Sequence, residues 1–104
     1  MALPPLGVDV PVGIVDLEAR LLSPGRLALH FEGQAEPAGT SYRAWIVRAS
    51  GARYLLKVIS GGAGVYDLEF ELPRWCRGSC WRLALEMLDG QDRVIDSELV
   101  TPSR

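Results

Sequence analysis

Cys76 and Cys80 lie in the run Arg74-Trp75-Cys76-Arg77-Gly78-Ser79-Cys80-Trp81. A pair this close in sequence allows one covalent reaction, oxidation to a disulfide that closes a small loop. Such a bond needs the two Cα atoms within about 7 Å, which Gly78 makes feasible. It also implies a protein that ends outside the reducing cytosol. The same pair reads equally as two reduced thiols in a loop. Zinc is not expected, because it takes four ligands and the chain has no second Cys or His pair. No other metal and no cofactor is expected either.

Arg74, Trp75, Arg77 and Trp81 surround those cysteines. Trp and Arg are the residue types that dominate binding hot spots, and they also stack on a sugar or a base. Trp81 shares its parity with Leu83 and is expected in the core. Trp75 sits in the loop and is the better contact residue. Trp45 alternates with Ala44 and Ile46 in Tyr42-Arg43-Ala44-Trp45-Ile46-Val47. One face of that strand must be core, so the other presents either a Trp or a Tyr beside apolar groups. An exposed patch of that kind marks a contact, unless the loop at 33–40 shields it.

Acid–base chemistry finds little support. Asp67, Glu69 and Glu71 recur at every second residue, and paired carboxylates can act as acid and base. Strict alternation is also what the solvated face of a half-buried strand looks like, and that is the reading adopted, with Arg20 and Arg82 as cross-strand partners. His30, the single histidine, falls on a polar face beside Glu32 and Arg26 with no nucleophile near it in sequence. Ser60-Gly61-Gly62-Ala63-Gly64 lacks the Lys and the Ser/Thr of a phosphate loop and reads as a mobile connector. No catalytic residue is assigned.

The elements that must carry these residues are strands. Val15, Leu17, Ala19 and Leu21 alternate with Asp16, Glu18 and Arg20. A Ser-Pro-Gly-Arg turn follows, and then Leu27, Leu29 and Phe31 alternate with Ala28, His30 and Glu32. This predicts a β-hairpin. Residues 42–47 and 53–59 are apolar on both faces, which predicts central or covered strands. Val65 to Leu72 alternates best, with Tyr66, Leu68, Phe70 and Leu72 inward, and Pro73 ends it. Trp81, Leu83, Leu85 and Met87 define the next strand, although a short helix at 80–88 is the alternative. Asp89-Gly90 signals a hairpin. The last strand, 93–101, has broken parity, as a bulge or a covered edge would give.

Seven such strands in 104 residues predict one all-β domain, an antiparallel β-sandwich over 13–104. Met1 to Pro11 holds three prolines among Leu3, Leu6, Val8 and Val10. An arm so rich in proline stays extended and cannot pair as a central strand, so residues 1–12 are expected as an extended N-terminal arm whose apolar side chains need a surface. Hydrophobic residues at 48% and charged residues at 23% describe an ordinary globular domain. A net charge of −2 gives no basic field for nucleic acid. No run of 18 apolar residues could cross a membrane as a helix, and no secretory signal is expected, so synthesis in the cytoplasm is expected. Arg far outnumbers Lys and Asn is missing; this fits a GC-rich genome or heat adaptation.

Tyr66 to Pro73, Trp81 to Glu86, and Asp89-Gly90 to Glu98 resemble the last three strands of an immunoglobulin-like or fibronectin-III-like module. The Cys…Trp…Cys spacing of antibody domains is absent. The resemblance implies a superfold, and superfolds host many functions. In size and in lack of catalytic groups the chain resembles the small immunoglobulin-like decoration and tail-accessory proteins of virions. The expectation is therefore a non-enzymatic structural or interaction module, an accessory subunit of a larger assembly. It would bind protein partners through Leu3, Leu6, Val8, Trp45, Arg74, Trp75 and Arg77, and a virion or other extracellular assembly would be its final location. The alternative is a carbohydrate-binding module, in which Trp45, Trp75 and a Tyr form a flat platform for a glycan.

Overall fold

A computed structural model describes residues 13–34, 40–77 and 80–104. The proposed arm, with Leu3, Leu6 and Val8, lies outside the described residues, as do residues 35–39 of the loop expected to shield the outer face of 42–47.

Among the described residues, seven antiparallel strands form two sheets. β1 (Gly13–Ser23), β2 (Arg26–Gln34) and β5 (Gly64–Glu71) make a three-stranded sheet in the order β1-β2-β5. β3 (Ser41–Arg48), β4 (Arg53–Ser60), β6 (Trp81–Leu88) and β7 (Val94–Val100) make a four-stranded sheet in the order β4-β3-β6-β7. The expected sandwich is present, and residues 81–88 are strand rather than helix.

The core lies between the sheets. Leu27, Leu29, Phe31 and Phe70 meet Tyr42, Ala44, Ile46, Leu83, Leu85 and Met87. Each set comes from alternate residues of its strand, because the pleat sends neighbouring side chains to opposite faces. At one end, Phe31 stacks on Tyr66 with ring centres 4.9 Å apart, and Tyr42 stands edge-on to both. The hydroxyls of Tyr42 and Tyr66 both donate to the Gly62 carbonyl, at 2.7 and 2.8 Å. Burial first, then the neighbouring Tyr66, pushes the Tyr42 hydroxyl up to about 12, so it is a donor at any physiological pH. The Gly-rich connector expected to be mobile is thus tied to the core. Its glycines serve the backbone, since Gly61 and Gly62 take φ values of 149° and 77°, where a side chain would strain.

Two expectations from alternation need correction. In β1, Val15 pairs with Glu32 and Glu18 with His30, leaving Asp16 and Leu17 opposite Phe31 alone. This bulge, with Asp16 at φ 54°, shifts the phase, so Ile14 is buried and Val15 turns outward with Glu32. Among the described residues β4 is neither central nor covered: it is an edge strand, and Tyr54, Leu55 and Val58 are exposed. Its bulge at Ala44/Trp45 and the inward side of Lys57, opposite Ala44, discourage pairing with another edge. The Asp89-Gly90 signal does mark a hairpin, but the loop runs to Arg93. Asp89 Oδ1 accepts the backbone N–H of Gln91 and Arg93, and Asp92 rather than Gly90 takes the left-handed φ of 62°.

The two sheets are joined along one side. The Ile14 N–H donates to Asp96 Oδ2 at 2.8 Å, which gives this inward carboxylate of β7 a partner. Beyond β7 the chain crosses to the other sheet, where Leu21 N–H donates to the Ser103 carbonyl and Ser103 N–H to that of Ala19, at 2.7 and 2.9 Å.

Candidate functional site

The register of β3 decides which aromatic faces outward. Tyr42, Ala44 and Ile46 are fully buried, so Arg43, Trp45 and Val47 point away from the core. Cross-strand pairing brings Val58 and Leu55 of β4 beside Arg43 and Trp45 on that outer face, and Glu86, Ala84 and Arg82 of β6 on the other side. Leu99 of β7 pairs with Ala84 and extends the same face.

Glu86 organises the centre. Its Oε1 accepts the Trp45 indole N–H at 2.7 Å and its Oε2 accepts from Arg53 at 3.1 Å. The Arg53 guanidinium lies over the Trp45 ring, 4.3 Å from its centre, and Arg43 lies 5.9 Å away. Arg43 Nε is 3.6 Å from Glu86 Oε1, close enough for charge attraction and too long for a hydrogen bond. Burial pushes the Glu86 carboxyl up, but the hydrogen bonds from Trp45 and Arg53 and the charges of Arg53 and Arg43 outweigh it and hold it below the usual carboxylate range. The carboxylate therefore stays charged and holds the indole in one orientation. Around this centre Leu55, Val58 and Leu99 are exposed at 40%, 52% and 49%. The face continues into an open depression lined by Val47, Arg48, Cys80, Arg82 and Thr101. Arg82 has no ion-pair partner among the described residues, so the expectation that it pairs with Asp67, Glu69 or Glu71 fails: it lies in the other sheet. The strand neighbour that does pair with Glu69 is Arg26, at 3.0 Å.

Trp75 belongs to a different place. It sits in a 3₁₀ turn, Arg74–Cys76, between β5 and β6. Its ring meets Tyr54 edge-on at 78°, and the Arg48 guanidinium lies 4.9 Å from its centre. Arg74 is exposed beside it. Arg77 turns back into the fold, donating to the Leu72 carbonyl at 3.4 Å and covering the Gly25 turn. Trp45 and Trp75 thus form separate clusters, and neither is a bare flat ring. Trp81 is buried, as its parity with Leu83 implies.

Cys76 is a fully buried thiol whose Sγ donates to the Pro73 carbonyl, while Cys80 is an exposed thiol. Burial pushes the Cys76 thiol up, which lowers its thiolate fraction and its reactivity. Among the described residues no cluster of His, Cys, Asp and Glu could hold a metal, and no helix is long and apolar enough to cross a membrane.

The outer face of the three-stranded sheet carries the charged alternation. Arg26, His30 and Glu32 of β2 lie between Glu18 and Arg20 of β1 and Asp67, Glu69 and Glu71 of β5. An open hollow of about 370 Å³ is lined by Glu18, Arg20, His30, Asp67 and Glu69. His30 Nδ1–H donates to Asp67 Oδ1 at 2.6 Å. That hydrogen bond, with the lesser help of the negative charges of Asp67, Glu18 and Asp16, outweighs the opposing effect of desolvation and raises the His30 pKa above its ordinary 6.5. The pair's contribution to stability is complete below that pH and disappears as pH rises through the folded-state value. Both side chains are largely solvated, so the effect belongs to the titration and hardly to the melting temperature. In an NMR titration the His30 midpoint is expected above 6.5 and, in Asp67→Asn, lower than in the native chain. Equal midpoints in the two proteins would show that the hydrogen bond does not form in solution.

The sequence singled out Trp45 but not Glu86, Arg53, Leu55 or Val58. The signal lies in the two apolar faces of 53–59, which alternation by itself reads as burial. The chain matches no family model, no curated protein and no solved structure.

Proposed function

We propose that this chain is a non-enzymatic interaction module of immunoglobulin-like type, an accessory subunit that docks into a larger protein assembly through the outer face of its four-stranded sheet. The strand order supports the type: β1-β2-β5 against β4-β3-β6-β7 matches the two-sheet layout of that superfold, with the fourth strand beside the third. A virion decoration or tail-accessory subunit fits this size and layout, and that comparison is analogy of fold.

One observation carries the docking reading. Trp45 is held by Glu86 and Arg53 amid Leu55, Val58 and Leu99 on a face that the described residues leave exposed. A positioned Trp beside Arg within an aliphatic rim has the composition of an interface hot spot. It gains little as a solvated surface, where aliphatic exposure on an edge strand invites aggregation. A glycan platform is less favoured, because Tyr54 and Trp75 stand nearly perpendicular and Arg53 covers one side of Trp45.

Hydroxyl-radical footprinting tests this without knowledge of the partner. In an extract of the source cells or particles, Trp45, Leu55, Val58 and Leu99 are expected to be less oxidised than in the dilute purified chain. Equal oxidation in both would overturn the reading.

A further inference from the structure

The two outer faces of the sandwich carry opposite charge. Arg43, Arg53 and Arg82 outnumber Glu86 on the four-stranded sheet. On the three-stranded sheet Glu69 and Asp67 engage Arg26 and His30, and Glu18, Glu32 and Glu71 remain against Arg20. One face is basic with an apolar rim, and the other is acidic with an open hollow beside Glu18 and Glu69.

We propose that the occupant of the basic face is the acidic face of a second copy of this chain, so that copies stack head to tail. The proposal rests on the docking reading above and names its partner. Charge complementarity selects this arrangement. A two-fold pairing of basic faces would set Arg43, Arg53 and Arg82 against their own counterparts, and pairing of acidic faces would do the same with glutamates. Like charges so placed disfavour an interface strongly. Arg82 and Glu71, which have no ion-pair partners among the described residues, are available for contacts between copies.

The contact is small. Four strands about 4.8 Å apart, each of eight residues at most rising about 3.3 Å per residue, present a face of about 500 Å². That is below the ~800 Å² per partner of a stable complex. Association is therefore weak, concentration-dependent and sensitive to salt, because the Debye length falls from about 10 Å at 0.1 M to about 3 Å at 1 M. A head-to-tail contact is heterologous, so it does not close at two copies: it builds a ring where its rotation closes and an open filament otherwise.

Sedimentation velocity on the purified chain, from micromolar to millimolar, tests the proposal. The mean mass is expected to rise beyond a dimer at low salt and to return to 11.4 kDa at about 1 M salt. Arg82→Glu and Glu71→Arg are each expected to move association to at least about tenfold higher concentration. Mixing the two variants restores it, since the reversed faces then complement each other. Melting curves of both variants should match the native chain. A monomer across the whole range, a dimer indifferent to salt, or variants whose mixture fails to associate would overturn the proposal. If Trp45 is nevertheless protected in extract, the docking face stands and only its occupant is wrong. If it is unprotected there too, both readings fall.

Discussion

Trp45→Ala is expected to weaken docking at the outer face of the four-stranded sheet by about thirtyfold or more, the scale of a hot-spot truncation of 2 kcal/mol or above. The indole supplies the area at the centre of the face, and it also organises its neighbours. Without it, Arg53 loses the ring beneath its guanidinium and Glu86 loses its shortest hydrogen bond, 2.7 Å. Both side chains then sample other rotamers, and their ordering must occur on binding. The domain itself should survive. Trp45 is half-buried and on the outside of the sheet, so the loss of its area costs about 1–2 kcal/mol against a total stability of about 5–15. The measurement is the concentration at which Leu55 and Val58 become protected, read beside a melting curve. Trp45→Phe keeps a ring for Arg53 and loses the N–H to Glu86, so it should fall between. Native affinity in Trp45→Ala would remove this residue from the interface.

Gly33→Ala is expected to destabilise the domain by about 2–4 kcal/mol, overpacking combined with a lost hydrogen bond. On a domain of about a hundred residues this lowers the melting temperature by roughly 10–25 °C. A Cβ at Gly33 would fall on the Tyr42 hydroxyl. Tyr42 is fully buried, its ring is wedged against Phe31 and Tyr66, and its hydroxyl is fixed on the Gly62 carbonyl. The ring can make room only by giving up that bond and disturbing the aromatic cluster. Tyr42→Phe removes the obstructing oxygen, and Tyr66 still donates to Gly62. In a double-mutant cycle, Tyr42→Phe should therefore recover part of the stability lost in Gly33→Ala, a coupling expected of residues in contact. Strict additivity would show that the two groups do not meet.

The core was legible in the sequence wherever a strand alternates without interruption. Alternation puts Leu27-Leu29-Phe31, Tyr66-Leu68-Phe70 and Leu83-Leu85-Met87 on the inner face, and they lie there or at its margin. Where two faces are apolar, alternation has no contrast to report. For residues 42–47 it left open whether Tyr42 or Trp45 was inside. For 53–59 it suggested burial, yet β4 is an edge strand. Edge or centre is a matter of which strands pair, and pairing is a long-range property. The bulge at Asp16-Leu17 was equally hidden, because Val15-Leu17-Ala19-Leu21 reads as unbroken alternation and the extra residue shows only against its partner Phe31.

The site follows the same division. Trp45 could be named from its type and its strand. Glu86 lies 41 residues further along the chain and has an ordinary surface residue's signature, one polar position among alternating apolar ones. The sequence alone determined that the chain builds strands, where most of their inner faces are, and that its net charge is small. The tertiary structure decided which strand lies at an edge, which aromatic faces outward, and that a surplus of acids and a surplus of arginines fall on opposite faces of the sandwich. The physical reason is that alternation is written in the covalent order through the two-residue pleat, whereas strand pairing, bulge phase and facial charge depend on residues that meet only when the sheets assemble.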